Sequence, residues 1–272
     1  MARYQLTLAY DGAKFLGSQR QAKSDGSTSV AVSRPMLRTV QGELEKALRK
    51  LGWSGRSVTM AGRTDTGVHA TGQVAAFDLD WAHKLEQLQK ALNAGLPLDI
   101  VVRDIHETYA DFHPRFDAAS RRYVYSLFCD PVRHPLRERF AWRTWPEVND
   151  GMLTKVSKLF LGTHDFSAFG SPTTPKGSTV RTVMKSAWMK MLDPSASLRT
   201  GGEWQFEVQA DAFLYRMVRR MVFVQVVTAQ GKCSVEEVQN ALSGQTKLPA
   251  GLAPAHGLTL VEVKYDRSIE LN

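Results

Sequence analysis

Apolar side chains recur at every second residue in some segments of this chain and at every third or fourth in others, and the two kinds of segment are interleaved. That pattern constrains the fold more than any other feature. Tyr4, Leu6, Leu8 and Tyr10 share one face of a strand that ends at Asp11-Gly12. Val40, Leu44, Ala47, Leu48 and Leu51 follow helical spacing, with Gly52 as the C-terminal cap. Strands at Ser57–Met60 and Gln73–Leu79 precede a helix through Leu85, Leu88 and Leu92, and a strand follows near Ile100–Glu107. In the second half, Arg122–Cys129 alternates, with Tyr123, Tyr125 and Leu127 on one face. Asp150 is placed to cap a helix carrying Leu153, Val156, Leu159 and Phe160 and ending at Gly162. Strands Val180–Met191 and Trp204–Ala210 are joined by the hairpin loop Asp193–Gly202. A helix spans Phe213–Gln230, Ser234-Val235-Glu236-Glu237 is a capping box opening another that ends near Gly244, and the last strand is Leu258–Tyr265. Strands that come in pairs between helices, rather than in strict βαβ order, predict an α+β fold with helices on one face of antiparallel or mixed sheets.

With 272 residues, the chain has room for two domains of ordinary size. The expected boundary lies at Phe112–His113-Pro114, giving halves 1–112 and 113–272, and Lys23–Pro35, rich in Ser and Gly, reads as a surface loop. Uncharged stretches are short: Leu248–Val261 is interrupted by Pro249 and Pro254, which does not suit a membrane span. Arg3 and Asp11 leave no room between them for the apolar core of a signal peptide. Cys129 and Cys233 form no metal-binding pair, so a soluble, cytoplasmic protein is expected. The 35 Lys and Arg against 27 Asp and Glu give a net charge of +8, which fits a polyanionic partner. Arginines gather at Arg121–Arg122, at Arg133, Arg137, Arg139 and Arg143, and at Arg216, Arg219 and Arg220, each group near aromatic residues. Arginine beside an aromatic ring serves both phosphate contact and base stacking; solvated faces would look the same.

The densest candidate for chemistry is the stretch Gly62–His69. Glycines bracket Arg63-Thr64-Asp65-Thr66, so the backbone can turn sharply and present Asp65 at a loop tip. Asp65-Thr66-Gly67 matches the Asp-Thr-Gly of aspartic proteases, but a shared-proton dyad needs a second such triplet, and this chain has none. Arg63 would also oppose that dyad by favouring the ionised carboxylate. None of the seven histidines falls in a His-Glu-x-x-His motif or near a cysteine, so no metal is expected, and His69 reads as a loop hydrogen-bonder. No glycine-rich dinucleotide loop, phosphate loop or serine nucleophile elbow occurs. What remains is one carboxylate, an arginine-rich surface and no cofactor. A non-catalytic RNA-binding module would carry the same charge, and an ordinary exposed turn would show the same glycines and polar residues.

At this point the chain resembles a known family. Ala61-Gly62-Arg63-Thr64-Asp65-Thr66-Gly67-Val68-His69-Ala70, with Gly72-Gln73-Val74 after it, is similar to the signature of the tRNA pseudouridine synthase A family. Ordered blocks support the likeness across nearly the whole chain. They are Tyr10-Asp11-Gly12 with Phe15, Gly17, Gln19 and Gln21, then Thr39-Val40-Gln41-Gly42, then Leu92-Asn93 with Leu96-Pro97 and Asp99-Ile100. Phe112-His113-Pro114-Arg115-Phe116 through Arg121-Arg122-Tyr123, Phe213 through Arg219, and Ala255-His256-Gly257-Leu258 complete it.

The resemblance implies two similar α/β halves with an active-site cleft between them, working as a homodimer. It implies isomerisation of uridine to pseudouridine at positions 38, 39 and 40 of the tRNA anticodon stem-loop, without a cofactor. Asp65 matches the nucleophilic aspartate and Tyr123 the tyrosine that stacks on the target base. Arg63 matches an active-site arginine, Arg219 the one that pairs with the aspartate, and Leu258 an apolar residue lining the pocket. Arg121, Arg122 and Arg216 are the expected phosphate contacts. Breaking the N1–C1′ bond, turning the base and joining C5 to C1′ calls for an ionised carboxylate, which a neighbouring arginine favours. Extruding the base from its stack costs a few kcal/mol, offset in part by stacking on an aromatic ring. For Tyr123 the competing reading is a core partner of Tyr125 on the same face, and for Arg219 a solvated helix face shared with Arg216. The chain departs from the family pattern at Ser18, where Trp is usual, at Asp211, where Asn is common, and in longer loops at Lys23–Leu37, Ser171–Gly177 and Asp193–Gly202.

Overall fold

A computed structural model describes residues 1–20, 38–191, 202–244 and 247–266. The loop expected at Lys23–Pro35 and most of the hairpin loop expected at Asp193–Gly202 lie outside these residues. The described residues fall into two compact units, one drawn from Met1–Ala118 with Tyr265–Asn272 and the other from Ala119–Lys264. The expected 112/113 boundary therefore stands inside the first unit's span. Phe112 is held there by Arg3, whose Nε donates to its carbonyl at 2.7 Å, and Pro114 by Tyr265, whose hydroxyl donates to the Pro114 carbonyl at 2.8 Å.

In the first unit, strands β1 (Ala2–Tyr10), β2 (Thr59–Met60), β3 (His69–Leu79) and β4 (Ile100–Thr108) accompany helices α1 (Val40–Lys50) and α2 (Leu85–Gly95). The strand order is β4-β1-β3, with β2 antiparallel to β3. β1 lies antiparallel to both neighbours, and its register sets Arg3 opposite Asp78, where the two form an ion pair at 2.8 Å. The alternation read in β1 is real: Tyr4, Leu6, Leu8 and Tyr10 are all buried. Thr39 caps α1 by accepting from the Gly42 N–H at 3.2 Å, and Gly52 follows the helix at φ +87°, as the C-terminal glycine requires. Val40, Leu44, Ala47 and Leu48 are buried, and each large side chain so removed from water contributes roughly 1.5–3 kcal/mol.

The second unit contains β5 (Ala118–Cys129), β6 (Trp142–Thr144), α3 (Asp150–Lys158), β7 (Gly162–Asp165), β8 (Val180–Met191), β9 (Glu203–Ala210), α4 (Met217–Ala229), α5 (Val235–Leu242) and β10 (Leu258–Tyr265). Its order is β10-β5-β9-β8-β7, with β6 parallel to β5. β6 and β7 were not visible in the sequence; both are short, and Gly-Thr-His-Asp has no apolar period to detect. Asn149, not Asp150, caps α3, its Oδ1 accepting from the Met152 N–H at 2.8 Å. Asp150 instead accepts from Trp204 Nε1 at 2.6 Å and Lys190 Nζ at 2.9 Å. α4 begins four residues later than the apolar period suggests, because Arg216 stands in the left-handed region at φ +64° and ends any helix before it; Phe213 is left on the preceding loop. The capping box at Ser234 is formed as expected, with Ser234 Oγ accepting from the Glu237 N–H at 3.0 Å and Glu237 accepting from the Ser234 N–H at 2.6 Å. No helix among the described residues is long and apolar enough to cross a membrane.

Glu207 on β9 is the buried carboxylate of this sheet, bonded to Lys185 Nζ at 2.7 Å and Arg122 Nη1 at 3.2 Å. Burial pushes its carboxyl up, and the hydrogen bonds and charges of Lys185 and Arg122 more than reverse this, so it lies below the ordinary glutamate value. A lowered folded value means that the carboxylate stabilises the fold above the unfolded value, near about 4.3, and that this contribution is lost as pH falls through the folded value. Glu207→Gln is therefore expected to cost roughly 1–2 kcal/mol at neutral pH, with the gap to the parent closing below about pH 4. Urea midpoints measured between pH 3 and 7 check this; a gap that stays constant would show that the ion pairs carry no stability.

Candidate active site

In the first unit, β2 and β3 run antiparallel until the chain leaves the ladder. Met60 faces Ala75, and the Ala61 N–H still donates to the Val74 carbonyl at 2.8 Å. At Gly62 the main-chain pairing stops and the Gln73 side chain replaces it. Its Oε1 accepts from the Gly62 N–H at 3.1 Å, and its Nε2 donates to the Gly62 carbonyl at 2.9 Å. The loop can then peel outward without leaving buried backbone groups unsatisfied, which would cost about 1–3 kcal/mol each.

Arg63 is exposed, Thr64 buried and Asp65 half-buried. Thr64 is tied at three points. Its N–H donates to Ser18 Oγ at 2.8 Å, its carbonyl accepts from the Ser18 N–H at 3.1 Å, and its hydroxyl lies 2.9 Å from the Tyr10 hydroxyl. Burial pushes the Tyr10 phenol up to about 12, so it stays protonated across the working range. Beyond Asp65 the Val68 N–H returns to the Asp65 carbonyl at 3.1 Å around Gly67, at φ +83°. His69 then opens β3, its Nδ1 accepting from the Gly12 N–H at 3.0 Å, which agrees with the loop-bonding role expected of it.

Two glycines make this packing possible. A side chain on Gly12 would drive a Cβ into the Val68 carbonyl oxygen. Gly17, at φ +90°, brings its Cα so close that a Cβ would stand 2.8 Å from the Thr64 carbonyl. Neither Gln73, Ser18, Tyr10 nor Thr64 was singled out as a site residue from the sequence. The signal for Gln73 was an amide at the head of the apolar run Val74–Phe77; nothing local marked Tyr10, Ser18 or Thr64 as partners of one another.

In the second unit the two tyrosines that the sequence could not separate have different surroundings. Tyr125 is the core residue: it is wholly buried, donates its hydroxyl to the Pro254 carbonyl at 2.9 Å and fills the space beside Gly257. Tyr123 is buried too, at 8% exposure, and meets the Phe213 ring edge-on at 5.2 Å. Leu258, buried, opens β10 beside β5. Arg219, on the first turn of α4, donates from Nε to the Ala253 carbonyl at 2.8 Å, and its own carbonyl accepts from the Ala253 N–H at 3.2 Å. It is thus bound to the segment leading to Leu258 rather than lying on a solvated face.

The arginines expected to meet phosphate differ from one another. Arg121 is buried and donates to the Asp211 carbonyl at 2.7 Å. Arg122 pairs with Glu262 at 2.9 Å as well as with Glu207. Arg216 is exposed, its guanidinium 4.7 Å above the Tyr215 ring. Asp211 accepts from the N–H groups of Ala212 at 2.6 Å and Thr182 at 3.2 Å, so its carboxylate fastens the end of β9 to β8.

A family model described as tRNA pseudouridine synthase matches residues 7–117 and 156–266. A protein named tRNA pseudouridine synthase A from Chloroflexus aurantiacus is 37% identical over 272 residues, covering 97% of this chain and 89% of that protein. Its namesake from Methylacidiphilum infernorum is 38% identical over 264 residues, covering 96% and 95%. That from Shouchella clausii is 36% identical over 274 residues, covering 100% and 97%. Among solved structures, a crystal structure of a Cbf5-Nop10-Gar1 complex is similar at 12% identity and a TM-score of 0.35, covering 95% of this chain and 49% of that one.

The fold is α+β, built of two similar halves of sheet and helix, and the protein is an isomerase. The chain belongs to the tRNA pseudouridine synthase family.

Gly17→Ala tests the close approach beside the loop. It introduces both a left-handed alanine and a Cβ against the Thr64 backbone, and is expected to cost about 1–3 kcal/mol. Gly52→Ala, left-handed but in open space, serves as the control for the conformational part alone. Equal melting temperatures for the two variants would show that the Thr64 contact relaxes at no cost.

Proposed function

We propose that this protein converts uridine to pseudouridine at positions 38, 39 and 40 of the tRNA anticodon stem-loop, with Asp65 as the nucleophile. The observation that carries the reading is the loop Ala61–Ala70, which holds its one carboxylate on a backbone fixed on both sides. Asp65 attacks as the carboxylate, at C1′ of the sugar or C6 of the base; the N1–C1′ bond breaks, the base turns, C5 joins C1′ as the bond to Asp65 is released, and C5 loses a proton while N1 gains one. Arg63 and Arg219 orient the carboxylate. Tyr123 receives the flipped base by stacking, Leu258 lines the pocket, and the Tyr123 phenol accepts or relays the C5 proton.

Arg216, Arg121 and Arg122 contact phosphate in this reading. The carboxylates of Glu207 and Glu262 offset the charge of Arg122, so its share of the electrostatic attraction is smaller than that of the exposed Arg216. The enzyme acts in the cytoplasm as a homodimer, whose two basic surfaces extend the footprint on one tRNA. No cofactor takes part.

Incubation with unmodified tRNA followed by mapping of pseudouridine tests the whole reading. Product in the anticodon arm that disappears in Asp65→Asn is expected; product elsewhere, or undiminished product in Asp65→Asn, overturns it. Tyr123→Phe keeps the ring, so tRNA affinity should stay within about a few-fold while turnover falls by roughly 10²–10⁴. Tyr123→Leu loses stacking as well, worth about 1–3 kcal/mol. Unchanged turnover in Tyr123→Phe would leave the tyrosine a stacking platform only. Affinity should also fall steeply with salt, and Arg216→Ala should lower the log–log slope by up to about 0.9. A slope that does not change would remove Arg216 from the phosphate contacts.

A further inference from the structure

The geometry points to Ser18 and Gln73 as positioning residues for Asp65: they clamp the backbone one and three residues ahead of it, and so set where its carboxylate stands in the reaction. This rests on the reading of Asp65 as nucleophile.

Neither Ser18 nor Gln73 has any exposed surface, and both spend their polar groups on the loop. Ser18 Oγ accepts from the Thr64 N–H at 2.8 Å and faces the Gly62 carbonyl at 3.4 Å, while its own N–H donates to the Thr64 carbonyl at 3.1 Å. Gln73 takes both main-chain groups of Gly62 and also donates to the Tyr10 hydroxyl at 3.4 Å. The Tyr10 hydroxyl in turn shares a hydrogen bond with Thr64 Oγ1 at 2.9 Å, so Gln73, Tyr10 and Thr64 form one connected set. Both main-chain groups of Gly62 and of Thr64 are thereby satisfied, and only exposed Arg63 lies between these two fixed points.

A two-stranded turn of apolar residues would join β2 to β3 without burying an amide and a hydroxyl. Burying them brings a cost in desolvation that only a complete set of partners offsets, and what the complete set confers is a single conformation. That conformation fixes the Cα of Asp65 from one side, while the Val68 N–H on the Asp65 carbonyl fixes it from the other. A misplacement of about 1 Å at a reacting group can cost on the order of 100-fold in rate. The clamp therefore acts on the chemical step and leaves tRNA binding, which involves other surfaces, almost unchanged.

The test is single-turnover pseudouridine formation at saturating tRNA by the full chain, with tRNA affinity measured separately by filter binding. Ser18→Ala and Gln73→Leu are expected to lower the rate by about 10- to 100-fold and to leave affinity within about twofold. Amide exchange in the peptide spanning residues 62–66 should quicken in both. Ser18→Thr, which keeps the hydroxyl, should restore most of the rate. Rates within about twofold of the parent in both variants would overturn the proposal. So would a joint fall of rate, affinity and melting temperature that Ser18→Thr fails to restore, since that pattern belongs to a purely structural role. Asp65→Asn is run alongside: full activity there would overturn the reading of Asp65 itself, whatever the clamp variants show.

Discussion

The first unit depends on how one side chain ends a β-ladder. Where β2 can no longer pair with β3, the amide of Gln73 takes over the donor and acceptor of Gly62. A carboxamide is the one neutral side-chain group that offers both functions in the geometry of a peptide. Without it, the loop would have to stay in the ladder, as an ordinary hairpin does, or leave buried peptide groups unpaired. The loop's departure from the sheet at Gly62 follows from that substitution. So does the close approach of Gly12 and Gly17, whose missing side chains let two further stretches of backbone reach Val68 and Thr64.

The second unit satisfies its charges differently. Arg122, Lys185, Glu207 and Glu262 neutralise one another across β5, β8, β9 and β10. Arg121 and Arg219 are bonded to main-chain carbonyls, and Asp211 to main-chain N–H groups. Arg121, Arg122 and Arg219 thus serve the sheet and the segment around Ala253. Net charge overstates the number of cations available to a polyanion, and Arg216, resting on Tyr215, is the kind of group that remains for it.

Patterns with a fixed period were legible before any coordinates. The alternation in β1 and β5, the spacing of buried residues in α1, the bounds of β8 and β10 and the box at Ser234 need only near neighbours, so they can be read from the sequence. Shifts came where a single residue decides against the period. Arg216 in the left-handed region delays α4, and Asn149 rather than Asp150 takes the cap because its side chain reaches Met152. β6 and β7 leave no local mark, since each is short and ordered by contacts with other segments.

By itself the sequence determined the periodicity of its elements, and with it the α+β class, and the ten-residue loop that placed the chain in its family. Those depend on spacing along the backbone and on residue types within a few positions of one another. Tertiary structure alone decided that Tyr125 is sealed in the core by Pro254 and Gly257, while Tyr123, also buried, packs edge-on against Phe213. Likewise it alone put Ser18 and Gln73 against Gly62 and Thr64, across separations of 11 to 46 residues. Two tyrosines at the same phase of one strand are equivalent until other segments cover each of them differently, and a serine has no local mark of the amide it will bind. Such distinctions arise only when distant segments compete for the same space and the same hydrogen bonds.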